Sequence, residues 1–166
     1  WAAADFPQTS TFDMTGAFSV GRDPFVETLN KVGRAASRDE TRPILTGVLM
    51  TIMGDTLKMV ATDSYRLAVK ETKLGHALET EVQAIVPVKA LGEVTRLAAA
   101  LGPGDIEVAV GENQAVFKLS DPAGDVWIAS RLIDGQFPNY KQLIPETFEH
   151  QVTIDRGQLM ATARRV

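Results

Sequence analysis

With 166 residues, 45% of them hydrophobic and 23% charged, the chain has the size and composition of one globular domain, alone or with flanking segments. The absence of cysteine removes any disulfide framework or thiolate metal site, His76 and His150 lack ligand-like spacing, and no apolar run approaches the roughly 20 residues that span a bilayer. A net charge of −4 argues against a dedicated, tightly binding nucleic-acid domain, but it leaves room for positive charge gathered on one surface.

The first stretch, 1–15, is polar with Pro7 and two phenylalanines, and reads as an extended connector. Trp1 to Pro7 has neither the basic region nor the apolar core of a secretion signal and lacks an initiator Met, so the sequence is expected to start partway along its gene product, in the cytoplasm. Ala17 to Val20 is a short strand. Asp23 and Pro24 then read as cap and first residue of a helix, with Phe25, Leu29, Val32 and Ala36 as its apolar stripe. Glu27, Lys31, Arg34 and Arg38 form the opposite stripe. Strands follow at about 45–53, 56–62 and 65–72, with Gly54-Asp55 as the first turn. A looser stretch around Gly75 and His76 leads to a strand at 81–86. Pro87 then opens a second helix, with Leu91, Val94, Leu97 or Ala98, and Leu101 on one face and Lys89, Glu93 and Arg96 on the other. Gly102-Pro103-Gly104 stops that helix, and strands follow at about 105–110, 114–120 and 125–132.

The order strand, helix, three strands therefore occurs twice, and a third copy starts with a strand at Val152 to Ile154, a cap at Asp155 and a stripe of Leu159, Ala163 and Val166. Self-similarity at a fixed period is a fold-level signal. Each copy has one amphipathic helix and strands with one apolar face, and neither can cover that surface alone. The expected fold is α+β: two such repeats packed helix on antiparallel sheet, with the polar helix stripes side by side outside. The third copy breaks off inside its helix, as expected of a chain that continues.

Signs of an enzyme are few. Gly102-Pro103-Gly104 lacks the Lys-Ser/Thr of a phosphate loop and opens no helix. Spacing suggests no Ser-His-Asp set, and no cofactor or metal site is expected. Asp63 is the one carboxylate for a hydrolytic alternative, but Thr62-Asp63-Ser64 is also a turn whose side chains bond their own backbone. Lys31, Arg34 and Arg38 fall at i, i+3 and i+7, and Lys89 and Arg96 at i and i+7, so each set shares a helix face. A solvated face explains both sets, with Glu27 and Lys31 as an ordinary stabilising pair.

Four stretches add a resemblance. Ala61-Thr62-Asp63-Ser64-Tyr65-Arg66-Leu67-Ala68, Thr41 to Val48, Ala84 to Lys89, and Arg131 to Tyr140 with its Asp134-Gly135-Gln136-Phe137-Pro138 core together resemble, in order and spacing, the bacterial DNA polymerase sliding clamp family, the beta subunit of DNA polymerase III. The resemblance implies a non-catalytic processivity factor, with residues 16–140 as the central clamp domain, 1–15 as a linker from the first and 141–166 as a connector and start of the third. It implies a ring of helices around duplex DNA, with Lys31, Arg34, Arg38, Lys89 and Arg96 making sequence-independent phosphate contacts. The loop 37–43, which approaches DNA in this family, here carries Asp39 and Glu40 and no aromatic residue.

The resemblance also implies a groove for short Gln- and Leu/Phe-containing peptides, lined on this side by Leu45, Thr62, Ser64, Tyr65, Arg66, Leu67, Pro138, Gln142 and Leu143. Some relatives carry Gly-His in place of Ser64-Tyr65, and Arg in place of Gln142. The implied partners are the replicative polymerase catalytic subunit, the clamp loader and repair polymerases. The whole protein is expected to be a homodimer ring, and a piece of this length a monomer. The alternative is an α+β peptide- or ligand-binding module that does not act on DNA. Turnover of a substrate abolished by Asp63→Asn would favour the hydrolase instead.

Overall fold

A computed structural model describes residues 12–165. Strand β1 (Phe18–Gly21) leads directly into helix α1 (Arg22–Val32). Strands β2 (Gly47–Thr62) and β3 (Leu67–Pro87) follow, then helix α2 (Val88–Leu101) and strands β4 (Asp105–Val110), β5 (Gln114–Leu119) and β6 (Val126–Arg131). A short helix α3 (Arg156–Ala163) lies near the end.

Both helices form where the apolar period is 3.6. Phe25, Leu29 and Val32 of α1 and Leu91, Val94 and Ala98 of α2 are buried, and their side chains join one core with Phe18, Val20, Met50, Ile52, Leu57, Met59, Val108 and Phe117 from the strands. Phe25 meets Phe117 edge-on, with ring centres 6.3 Å apart.

The strands form two antiparallel sheets, one in the order β1-β4-β5-β6 and the other pairing β2 with β3. The first strand of each repeat sits in the other repeat's sheet: Phe18 of β1 pairs with Val108 of β4, and Val86, at the end of β3, pairs with Val48 of β2.

Strand β2 is not straight. Eleven residues separate Leu49 from Val60, about 36 Å along a straight strand, yet both belong to one hydrophobic cluster, and Leu49, Met53, Thr56 and Lys58 line one hollow. The pairing with β3 shifts register on both sides of Gly54, which takes φ +58. The strand therefore doubles back there, the turn expected from Gly54-Asp55, and a left-handed residue at that point suits glycine.

Several boundaries differ from expectation. Helix α1 starts at Arg22, not at an Asp23 cap, because the Arg22 N–H bonds the Gly104 carbonyl at 2.8 Å. It ends at Val32, and a 3₁₀ turn at Gly33–Ala35 follows, with Ala36 extended. Arg38 is consequently in a loop and not on the helical face shared by Lys31. Residues Pro43–Thr46 form a 3₁₀ turn ahead of β2, so Leu45 is not in a strand. The looser stretch around Gly75 is strand. Val152 to Ile154 is exposed and forms no strand, with no ladder partner among the described residues, while Asp155 caps α3 by accepting from the Gln158 N–H at 2.9 Å. Val166, and most of the 1–15 connector, lie outside the described residues.

Arg22 is the principal surprise of the core. It is 3% exposed, and its guanidinium donates to the carbonyls of Gly102 at 3.2 Å and Asp105 at 3.3 Å, to Ser120, and at longer range to Leu101 and Pro103. It thus closes the C-terminal end of α2, where unpaired carbonyls concentrate negative charge. Gly104, at φ +150, leaves it room: a Cβ there would fall 2.9 Å from Arg22 Cζ.

Candidate functional site

The turn between β2 and β3 is built almost entirely by its own side chains. Thr62 Oγ1 donates to the Arg66 carbonyl at 2.8 Å and accepts from the Ser64 N–H at 3.2 Å. Asp63 Oδ1 accepts from the N–H groups of Tyr65 and Arg66, each at 3.0 Å, and Asp63 Oδ2 holds Arg66 Nε at 3.0 Å. The Tyr65 N–H, followed by the Arg66 N–H and guanidinium, keeps the Asp63 carboxyl below its ordinary range. Both oxygens of this carboxylate are occupied in shaping the turn, which removes the motive for a catalytic Asp63. Ser64 adopts φ +79, left-handed and uncommon for a residue with a side chain. The result is a braced tip that holds the Tyr65 ring in solvent, 95% exposed.

Below the tip, Leu49, Val60 and Ile85 form a small second core, with Ile44, Leu67, Ile133, Phe137 and Tyr140 packed on it. The structure thus joins Leu67 to the 133–140 segment, about 70 positions away, through Phe137 and Tyr140. Pro138 lies between those two residues and is exposed. Leu45 is half-buried in the 3₁₀ turn next to Ile44. Gln142 and Leu143 sit in a second 3₁₀ turn, Tyr140–Leu143, with Leu143 65% exposed. Of the nine groove residues, Thr62, Ser64, Tyr65, Arg66 and Leu67 therefore share one turn; Leu67 alone joins the packed cluster, while Tyr65, Gln142 and Leu143 project outward. Phe137 and Tyr140 were missed, although both stand in the stretch that carries the resemblance.

The five cations expected to face DNA are all exposed, but they are not equivalent. Lys31 pairs with Glu27, Arg96 with Glu93 at 2.8 Å and Lys89 with Glu40 at 2.8 Å. The Lys89 ammonium lowers the Glu40 carboxyl and is itself raised by it. Arg34 and Arg38 have no ion-pair partner among the described residues. Both line a hollow of about 390 Å³ where the end of α1 meets the start of α2, with Asn30, Gly33, Val88 and Thr95. The structure keeps Lys31 and Arg34 near α1 and Lys89 and Arg96 on α2, and it brings Arg38 to the same seam by a loop.

Two repeats that exchange their first strands, with a pair of helices carrying exposed cations and a self-bonded turn tipped by Tyr65, define a duplicated α+β domain. The comparisons with known proteins give that class a family. Residues 19–139 match the family model of the DNA polymerase III beta subunit, central domain, and the chain belongs to this family. It is 36% identical over 167 aligned positions to a beta sliding clamp of Synechococcus elongatus, covering 99% of this chain and 44% of that protein. It is 39% identical over 124 positions to one of Staphylococcus aureus, covering 75% of this chain and 31% of that protein. Among solved structures, the Thermotoga maritima beta subunit superposes with a TM-score of 0.87 at 29% identity, covering 99% of this chain and 43% of that one. A Pseudomonas aeruginosa sliding clamp bound to griselimycin gives 0.86 at 27% identity, with 99% and 43% covered. The chain spans less than half the length of these relatives.

Proposed function

We propose that the chain is the central part of a DNA sliding clamp, a non-catalytic factor that encircles duplex DNA in the bacterial cytoplasm and docks a replicative polymerase, a clamp loader and repair polymerases through a peptide groove. The domain boundaries of this reading are 1–15 for a linker, 16–140 for the central domain and 141–166 for the connector and start of a third domain. The complete protein is a homodimer ring and a piece of this length a monomer. One observation carries the DNA side: α1, the 3₁₀ turn after it and α2 lie together and expose Lys31, Arg34, Lys89 and Arg96, with Arg38 at their seam, on a chain of net charge −4. Such a face attracts phosphates without reading bases, and the interleaved Glu27, Glu40 and Glu93 keep the attraction weak enough for movement along the duplex.

The pairing pattern ranks the cations. Lys31, Lys89 and Arg96 each exchange a carboxylate for a phosphate, whereas Arg34 and Arg38 meet the duplex unpaired. In the complete ring, Arg34→Gln and Arg38→Gln should each reduce the slope of log affinity against log salt by about 0.9, and Lys31→Gln by less. The wider test reverses Lys31, Arg34, Lys89 and Arg96 to Glu in that ring and measures retention on nicked circular duplex. Unchanged retention at physiological salt rejects this face as the inner wall.

On the peptide side, Leu45, Leu67, Pro138 and Leu143 supply apolar contact, Tyr65 an anchor, and Thr62, Ser64, Arg66 and Gln142 polar orientation. Two of these are already committed within the turn: Thr62 to its backbone and Arg66 to Asp63. A partner therefore meets a preset tip, which reduces the ordering cost of binding.

A further inference from the structure

The side-chain hydrogen bonds of the 62–66 turn run among its own residues, with one exception among the described residues: Arg42 Nη1 donates to Ser64 Oγ at 3.3 Å. Arg42 belongs to the loop after α1 and is fixed there from two directions. Its Nε holds Asp39 Oδ2 at 3.1 Å, and its own N–H bonds the Asp39 carbonyl at 3.1 Å. Its carbonyl in turn accepts from the Leu45 N–H at 3.0 Å, and the Leu45 carbonyl accepts from the Ser37 N–H at 2.8 Å. One residue thus supports Leu45 through its backbone and the tip of the Tyr65 turn through its side chain.

We propose that Arg42 and Ser64 form a latch that sets the position of Tyr65 relative to Leu45, making both positioning residues for partner-peptide selection. The proposal rests on the reading of this region as a peptide groove. Ser64 carries two requirements at once. Its backbone is left-handed, which glycine or asparagine satisfies more easily than serine, and its side chain must offer an oxygen to Arg42. Glycine meets the first requirement and not the second. A tip with Gly at 64 would pivot on the β2–β3 base alone and present its aromatic ring over a wider range of angles. Serine here trades backbone ease for a fixed tip, so the chain should be more selective among peptides than the same domain with glycine. The Arg42 fork is essential to this, because it reaches Asp39 and Ser64 with separate nitrogens, which a lysine ammonium on a flexible stem does not reproduce.

The test uses the complete protein, a fluorescein-labelled ten-residue peptide carrying Gln, Leu and Phe, and amide exchange at Tyr65 and Arg66. Arg42→Lys and Ser64→Gly should each weaken the peptide three- to tenfold and speed exchange at both amides, and Ser64→Gly should not lower thermal stability, because glycine relieves the left-handed backbone at φ +79. Ser64→Asn, which tolerates the left-handed backbone and keeps an acceptor, should restore both readouts. In the Ser64→Gly background, Arg42→Lys should cause little further loss of peptide affinity, because the Arg42–Ser64 contact is already gone. Additive effects, or a Ser64→Gly protein with unaltered affinity and exchange, overturn the latch. A wild-type protein that fails to bind the peptide overturns the groove reading instead, and the exchange arm still decides whether Arg42 fixes the tip.

Discussion

Replacing Arg22 with methionine separates a structural arginine from the cations of the helix face. The side chain is 3% exposed, and the carbonyls of Gly102, Asp105 and Ser120 sit closest around its guanidinium. Hydrogen bonds to a charged group contribute about 1.5–3 kcal/mol each, and the charge also sits at the C-terminal end of α2, where it gains up to about 2 kcal/mol. Against this stands the desolvation of a buried cation without a carboxylate, several kcal/mol. The expected net loss in Arg22→Met is about 3 kcal/mol, which for a chain of this length lowers Tm by about 6–12 °C. Urea unfolding followed by circular dichroism measures it, and amide exchange should localise the loosening to the end of α2 and the start of β4. Arg22→Lys should recover little, since a point donor cannot serve carbonyls on several sides. A methionine variant within about 1 kcal/mol of wild type would refute the role of the fork. Duplex binding by whatever fraction remains folded should be unchanged, because this arginine never faces solvent.

Leu67→Asp places an unpaired charge beside the Leu49, Val60 and Ile85 cluster, and should weaken partner-peptide binding at least tenfold, about 1.4 kcal/mol, while duplex encirclement survives; intact peptide binding in a folded ring would reject the groove. Gly47→Ala would put a Cβ 2.5 Å from Ile85 Cγ2 and 2.9 Å from Ile133 Cδ1, and should lower stability by about 1–3 kcal/mol; an unchanged urea midpoint would show that this contact yields. The Asp63 carboxyl titrates below its ordinary 3.8 because the folded turn bonds its charged form, so its contribution is present above that value and lost as pH falls through the lowered one. The Tyr65 and Arg66 amide resonances should therefore shift with a midpoint below 3.8, the ordinary value, and Asp63→Asn should abolish the transition; a midpoint at or above that value would contradict the bonding seen.

The helices were legible because their burial is periodic: Phe25, Leu29 and Val32, and Leu91, Val94 and Ala98, mark one face each. The turn at Thr62-Asp63-Ser64 was equally plain, since its chemistry is local. What escaped was set by partners distant in sequence. Arg22 looks like any polar residue ahead of a helix, and its partners stand roughly 80 to 100 positions later. Arg38 fits the helical period, but the helix stops where Val88 of α2 comes within 3.4 Å of the Cβ position at Gly33, and the loop decides its place. The groove was half legible: Leu67 was found, whereas Phe137 and Tyr140, which pack with it, were passed over for the exposed Pro138 and Leu143 between and beyond them.

The exchanged first strands bear on how the protein is made. Phe18 waits for Val108, which lies about 90 residues downstream; at typical synthesis rates of about 5–20 residues per second, that is roughly 5–18 s after Phe18 is added. Until then β1 has no ladder, and the core that α1 shares with β4 and β5 lacks those strands. Neither repeat can therefore close on the ribosome by itself, and the domain is committed to folding late and as a whole. A split placed between the repeats, for instance at 73–80, should leave two pieces each holding the other's edge strand, which makes them more prone to recombine, or to swap with a second molecule, than to fold apart.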